Sequence, residues 1–347
     1  MEYRILGKTG LKISRLGFGG IPIQRIDAEG TKSLMAQLMA EGVNYIDTAR
    51  AYTVSEEYLG YALKGIRQNF VLATKSMART AEAMAQDIDL SLAKLQTDYI
   101  DLYQIHNPNA KDFEAVQAPG GALEALQAAR KAGKIGHIGI TLHAVELFEK
   151  AVELPWVETI MFPYNIVETQ GEALIKKAAE KNIGFVDMKP LAGGAIEDAS
   201  LAMRFLVSNP DVTVVIPGMA DAKEVEVNLT AAADLSPLTA EEQEKGTPIA
   251  SAAARAASAF SALCSPSTAR RTRPRAFPAN IKVKAGAPPS KERSTARASA
   301  AAEKPKRSTR AAGGARIPSA PSAGKMTVPA RAAKREKERA TEAGVLK

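Results

Sequence analysis

The sequence predicts an α/β protein: a (β/α)8 TIM barrel over residues 1–245, opened by a β-hairpin and followed by a disordered basic tail over residues 246–347. Three observations carry this reading. Eight short apolar runs recur at regular spacing before residue 245, with stretches of helical spacing between them. The runs are continuous rather than alternating, as strands covered on both faces are. The composition then changes abruptly after Lys245.

Taken in order, EYRILG (2–7) and KISRLG (12–17) flank a Lys8-Thr9-Gly10 turn and read as a hairpin. The eight strand-like runs follow at 16–19, 43–46, 70–74, 99–105, 135–140, 159–162, 184–188 and 213–216. Between them, residues 30–39, 81–95, 123–132, 173–179 and 201–207 place apolar side chains three or four apart, the spacing of one helix face. Gly42 and Gly133 stand where two of these helices should stop. Eight strand–helix units in about 250 residues match a closed barrel. An open nucleotide-binding sheet would need GxGxxG after its first strand and an acid about twenty residues on. GFGGIP at 17–22 lacks that spacing.

The tail differs in kind. Residues 246–347 carry 22 Lys+Arg against 5 Asp+Glu, leaving 24 against 33 for residues 1–245. The body is therefore acidic and the tail basic. The tail has no Tyr or Trp and only two Leu and two Phe, too little apolar surface to offset the entropy of ordering. Such a segment binds polyanions non-specifically, with steep salt dependence, and lacks the aromatic rings that stack bases. It begins abruptly after LTAEEQEK (238–245) and resembles a GC-rich gene read out of frame, which resequencing tests. The single cysteine, Cys264, excludes a disulfide framework within the chain and fits a reducing, cytoplasmic setting. The polar N-terminus MEYRILGKTG is unlike a signal peptide, and no apolar run reaches membrane-spanning length, so no membrane partner is expected.

Barrels place their chemistry at the C-terminal ends of the strands. There the second run ends in Asp47, the third in Lys75 and the fourth in His106, with Tyr52 on the loop after Asp47. Each residue alone has a plain explanation: a helix cap, a solvated lysine, a structural histidine, a packed ring. Together on one rim they form a set with a purpose. A phenol is a poor acid at neutral pH, a neighbouring ammonium lowers its pKa, and a carboxylate holds that ammonium charged. A histidine beside them can hydrogen-bond a substrate oxygen. This suits proton delivery to an oxygen gaining negative charge, as in carbonyl reduction.

The motifs, in order, resemble the aldo-keto reductases: LGKTGLKISRLGFGG, YIDTARAYTVSEEYLGYAL, VLATKS, TDYIDLYQIHNP, GKIGHIGIT and IPGMADAKEVEVNL. The phrases MFPYNIVE and MKPLAGG are similar to a prokaryotic branch that usually carries a ferredoxin-like iron–sulfur region after the barrel. With one cysteine, no iron–sulfur cluster is expected in this chain. The resemblance implies a catalytic tetrad of Asp47, Tyr52, Lys75 and His106, with Tyr52 the proton donor. It also implies NADPH or NADH bound across the barrel mouth and a small carbonyl substrate. Cofactor-binding positions by the same resemblance are Gly20, Thr141, Met161, Met188, Pro190, Leu191, Gly218, Met219, Glu224 and Asn228. Several depart from the family pattern. Thr141 and Leu142 stand for a serine and an asparagine, Met161 for a glutamine, and Met188 for an aromatic ring. Glu224 falls where NADPH-preferring members place an arginine, which argues against strong NADPH preference. Ile21, Tyr103, Asn107 and Phe162 are positional candidates for the carbonyl pocket. No metal site is expected. The alternative reading is a cofactor-binding scaffold or redox sensor with little turnover.

Overall fold

The computed structural model describes residues 1–242; the expected tail and Cys264 lie outside them. The chain opens with an antiparallel hairpin, β1 (Tyr3–Ile5) and β2 (Lys12–Ser14), as the sequence predicts. Eight parallel strands follow: β3 (Phe18–Gly19), β4 (Tyr45–Asp47), β5 (Val71–Ser76), β6 (Ile100–His106), β7 (Ile135–Thr141), β8 (Thr159–Pro163), β9 (Gly184–Met188) and β10 (Val214–Val215). They pair in sequence order from β3 to β10. Parallel bridges Leu16↔Val215 and Gly19↔Gly218 join the two ends. Gly17 N donates to Val215 O at 2.8 Å and Gly19 N to Pro217 O at 2.9 Å, so the sheet closes on itself.

The helices are α1 (Ala28–Ala40), α2 (Ser55–Ala62), α3 (Ala81–Lys94), α4 (Ala110–Ala115), α5 (Ala122–Lys131), α6 (Val145–Ala151), α7 (Glu172–Glu180), α8 (Ala199–Ser208) and α9 (Ala222–Ala233). Asp27, Thr80, Asn109, Asp198 and Asp221 cap α1, α3, α4, α8 and α9 by accepting a backbone N–H three residues on. Apolar spacing marks α1, α3, α5, α7 and α8. The short α2, α4 and α6 have too few turns to show a stripe, and in α9 Val225 and Val227 alternate with Glu in a strand-like pattern. Gly42 and Gly133 adopt φ of 79° and 74° just past α1 and α5, the left-handed turn that ends a helix.

Strand alternation divides the core into two layers. Ile46, Leu72, Tyr103, Ile138, Ile160 and Phe185 face outward and pack with the helices. Tyr45, Val71, Ala73, Leu102, Met161, Val186 and Val214 fill the barrel interior together with Leu6, Leu11 and Ile13 of the hairpin. The hairpin therefore plugs one end of the barrel. Gly7 makes this possible: its φ is 53°, and an added Cβ would lie 2.2 Å from Gly184 N. Lys8 N donates to Asn182 O at 2.7 Å across the same contact. The other end, where the strands finish, is left for chemistry.

Candidate active site

The inward residues at the open end of β4, β5 and β6 are polar. Asp47 and Lys75 are each 2% exposed. Lys75 Nζ donates to Asp47 Oδ2, and to Thr48 O at 2.9 Å. Gln104 Nε2, on β6, donates to Asp47 Oδ1 at 3.2 Å. Both carboxylate oxygens are thus satisfied, the condition under which a buried ion pair is tolerated. Lys75 Nζ lies 5.0 Å from the centre of the Tyr52 ring. The rings of Tyr52 and His106 meet edge to face, their centres 6.2 Å apart at 87°. The structure thus brings Asp47, Tyr52, Lys75 and His106 together.

Their electrostatics follow from burial. Burial opposes the charge on Lys75, but Asp47 and Tyr52 outweigh it and hold the ammonium above its usual range. Burial lifts the Asp47 carboxyl, opposed by Lys75 and Gln104. For Tyr52 the sequence expectation of a lowered pKa is overturned. Burial raises it, and the pull of Lys75 in the other direction does not cancel that rise. The free site therefore keeps a neutral phenol. His106 is pushed down to about 4 by burial and by the nearby Lys75, Arg79 and His143. It is a neutral imidazole, whose buried Nδ1 has no partner among the described residues. That leaves Nε2 as the nitrogen that can reach a ligand oxygen.

The positions suggested for a cofactor lie around the same mouth, with unequal access. Gly20 N donates to Asp47 O at 2.8 Å, and an added Cβ would sit 2.8 Å from that oxygen. Thr141, at the end of β7, is buried and accepts from Asn107 N at 3.0 Å. Met161 is buried in the barrel interior, with the half-buried Met188 against the same cluster. Pro190 is buried and Leu191 half-buried, in a loop with positive φ at Lys189, Ala192, Gly193 and Gly194. Asn165 Nδ2 holds this loop through Lys189 O at 3.0 Å. Beyond β10, Gly218 is exposed and Met219 buried. Glu224 Oε2 accepts from Ala220 N at 2.6 Å, and Oε1 lies 3.7 Å from Arg25. Asn228 donates to Glu224 O at 2.7 Å, while its buried Oδ1 has no donor among the described residues. An acceptor in that state fits the exocyclic amine of an adenine, so this end suits a nucleotide.

Tyr103 and Phe162, positional candidates for the carbonyl pocket, face outward into the helix layer, because strand alternation turns them away from the mouth. The exposed Ile21 and Asn107 remain near it. A cavity of about 590 Å³ opens beside His106, lined by Asn107, Pro108, Asn109, His143, Glu146 and Leu147 among others. Gln104 and His143 are the polar groups that sequence reasoning overlooks. A lone amide within an apolar strand, as in Leu102-Tyr103-Gln104-Ile105, is the signal that could have found the first.

The aldo/keto reductase family model matches residues 15–200. The chain is 26% identical to L-galactose dehydrogenase of Arabidopsis thaliana over 292 residues, covering 69% of this chain and 90% of that protein. It is 31% identical to aldo-keto reductase YhdN of Bacillus subtilis over 201 residues, covering 52% of this chain and 59% of that one. Among solved structures, aldo-keto reductase AKR11C1 of Bacillus halodurans in its holo form superposes with a TM-score of 0.64 at 26% identity, covering 72% of this chain and 96% of that one. Barrel, rim and matches agree: the chain belongs to the aldo/keto reductase family of oxidoreductases, which act on carbonyl compounds with a nicotinamide cofactor.

Proposed function

We propose that this chain reduces an aldehyde or ketone to an alcohol, with Tyr52 as the general acid. The observation that carries this is the Lys75 ammonium, locked by Asp47 and Thr48 O and set 5.0 Å from the centre of the Tyr52 ring, with a neutral His106 edge to face with that ring. The family's cofactor supplies the hydride when bound, and Gly20, Thr141, Pro190, Leu191, Gly218 and Asn228 are the residues that would hold it. His106 Nε2 orients the carbonyl oxygen by donating a hydrogen bond from a neutral ring. Tyr52 keeps its proton until that oxygen gains negative charge, then donates it. Lys75 stabilises the resulting phenolate, and Asp47 with Gln104 fixes Lys75 in place.

Glu224 supports a weaker preference for NADPH than is usual, with NADH a candidate, since a carboxylate repels a 2′-phosphate and can accept from ribose hydroxyls. One relative is an L-galactose dehydrogenase, so sugar-derived carbonyls belong among the test substrates beside simple aldehydes and ketones.

The test is a fluorescence titration with NADH and NADPH, followed by turnover of wild type and Tyr52→Phe. The variant should lose about 10²–10⁴-fold in kcat, the usual contribution of a positioned acid, while its cofactor Kd stays within about twofold. Loss of affinity in step with rate would remove Tyr52 from the acid role. A clear preference for NADPH would overturn the reading of Glu224. Tight cofactor binding without turnover on any carbonyl would favour a sensor or scaffold.

A further inference from the structure

Outside the barrel wall, behind the tetrad, lies a second polar cluster, buried at Glu56, Thr74 and Ser76 and half-buried at Arg50 and Asp87, that proton delivery does not itself require. Glu56, on α2, is 1% exposed. Its Oε1 accepts from Thr74 Oγ1 at 2.8 Å, and its Oε2 accepts from Arg50 NH1. Arg50 Nε lies 3.4 Å from Asp87 of α3, whose other oxygen accepts from Ser76 Oγ. Arg50 N donates to Lys75 O at 3.0 Å. The placement relative to the proton donor is specific. Arg50 is two residues before Tyr52 and Glu56 four after it, and Thr74 and Ser76 flank Lys75 on β5. Within the loop, Tyr52 N donates to Ala49 O at 3.0 Å and Ser55 N to Tyr52 O at 2.8 Å. Ser55 Oγ donates to Gly20 O at 3.0 Å.

We propose that Arg50 and Glu56 form a clamp that positions Tyr52 against Lys75. The loop carrying the phenol is tied to the strand carrying the ammonium inside the barrel through Asp47, and outside it through the Glu56 side chain on Thr74 and the Arg50 backbone N–H on Lys75 O, with the Arg50 side chain bridging Glu56 and Asp87. A buried carboxylate needs its partner, so the pair holds the loop in one geometry. Removing that constraint lets the loop move, and a displacement on the order of 1 Å at a reacting group lowers rate far more than binding. Arg50 and Glu56 touch neither substrate nor cofactor; they are positioning residues. This inference rests on the reading of Tyr52 as the acid.

The informative variant is Glu56→Gln, which keeps shape and one acceptor for Thr74 while removing the charge that holds Arg50. Arg50→Lys, which keeps the charge but not the fork, is its companion. Both are made in the full chain and checked by thermal unfolding. Hydrogen exchange at the Tyr52 and Ser55 amides reports the loop directly. Glu56→Gln should exchange there at least tenfold faster while the amides of β5 and β6 stay as in wild type. Its kcat should fall at least tenfold, with KM within threefold and cofactor Kd within twofold. The alkaline limb of kcat, set by Tyr52 facing Lys75 of β5, Asp47 of β4 and His106 of β6, should move. Arg50→Lys should fall between wild type and Glu56→Gln. A merely structural role would lower rate and cofactor affinity together and leave that limb in place, which would overturn the proposal, as would unchanged exchange. If wild type binds cofactor but turns over no carbonyl, the catalytic reading of Tyr52 is what fails, and the exchange measurement alone decides the clamp.

Discussion

At His106 the local environment sets chemistry that residue type does not. An ordinary histidine titrates near 6.5. Here burial, then the positive charges of Lys75 and Arg79 and the neighbouring His143, push His106 to about 4. The rate profile should therefore run flat through about pH 6.5, with its acid limb displaced toward about 4. The sign for stability agrees. Between these values the unfolded chain binds a proton at this position and the folded chain does not, so His106 weakens the fold as pH falls through that window. A kcat/KM profile from pH 4 to 8 checks this, and an acid limb near 6.5 that His106→Gln abolishes would contradict it. Tyr52 shows the same dependence on surroundings. Its ammonium neighbour is legible in the sequence, but the burial that outweighs it is not.

At the scale of elements, the hairpin of β1 and β2 is more than a leader. Leu6, Leu11 and Ile13 complete the interior cluster that supports the floor of the site. The hairpin reaches that position because Gly7, with φ of 53°, lies against the backbone at Gly184 and Asn182. The neighbouring atoms are main chain and cannot swing aside. Gly7→Ala should therefore cost about 2–5 kcal/mol, combining positive-φ strain with overpacking. Urea unfolding measures it, and an unchanged midpoint would show that the hairpin does not hold the barrel end closed. The loops at the other end are set by polar ties instead: the Asn165 side chain on Lys189 O, the Ser55 hydroxyl on Gly20 O and the Arg50 backbone N–H on Lys75 O.

At the scale of the whole barrel, one buried acid has no counter-charge among the described residues. Asp187 of β9 is 0% exposed; Oδ1 accepts from Tyr164 N at 3.0 Å, and Oδ2 has no partner among the described residues. Burial raises its pKa well above the usual carboxylate range, and nearby Glu168 adds to the rise. The folded chain thus keeps a proton that the unfolded chain releases above about pH 4, so stability from this residue is lost as pH rises. Asp187→Asn removes that dependence and keeps the acceptor for Tyr164 N. It should stabilise the protein by about 1–3 kcal/mol at pH 8 and less at pH 5. Melting temperatures at the two pH values test this, and an equal or reversed difference would sink it. None of the helices among the described residues is long and apolar enough to cross a membrane.

The sequence by itself determined the eight-strand order, the hairpin and the rim positions of Asp47, Lys75 and His106. Apolar continuity, helical spacing and polar strand ends are properties of neighbouring residues, so they can be read along the chain. What it could not determine depends on residues far apart in sequence. A closed barrel is legible, but not the register of its closure, Leu16 against Val215, nor the reach of Gln104 to Asp47 across 57 positions. Outward-facing Tyr103 and Phe162 had the right position along their strands but the wrong face, which only register decides. The neutral Tyr52 and His106, and the tie from Glu56 to Thr74, follow from burial between elements. Burial is made by packing, and it sets how far each charge is felt.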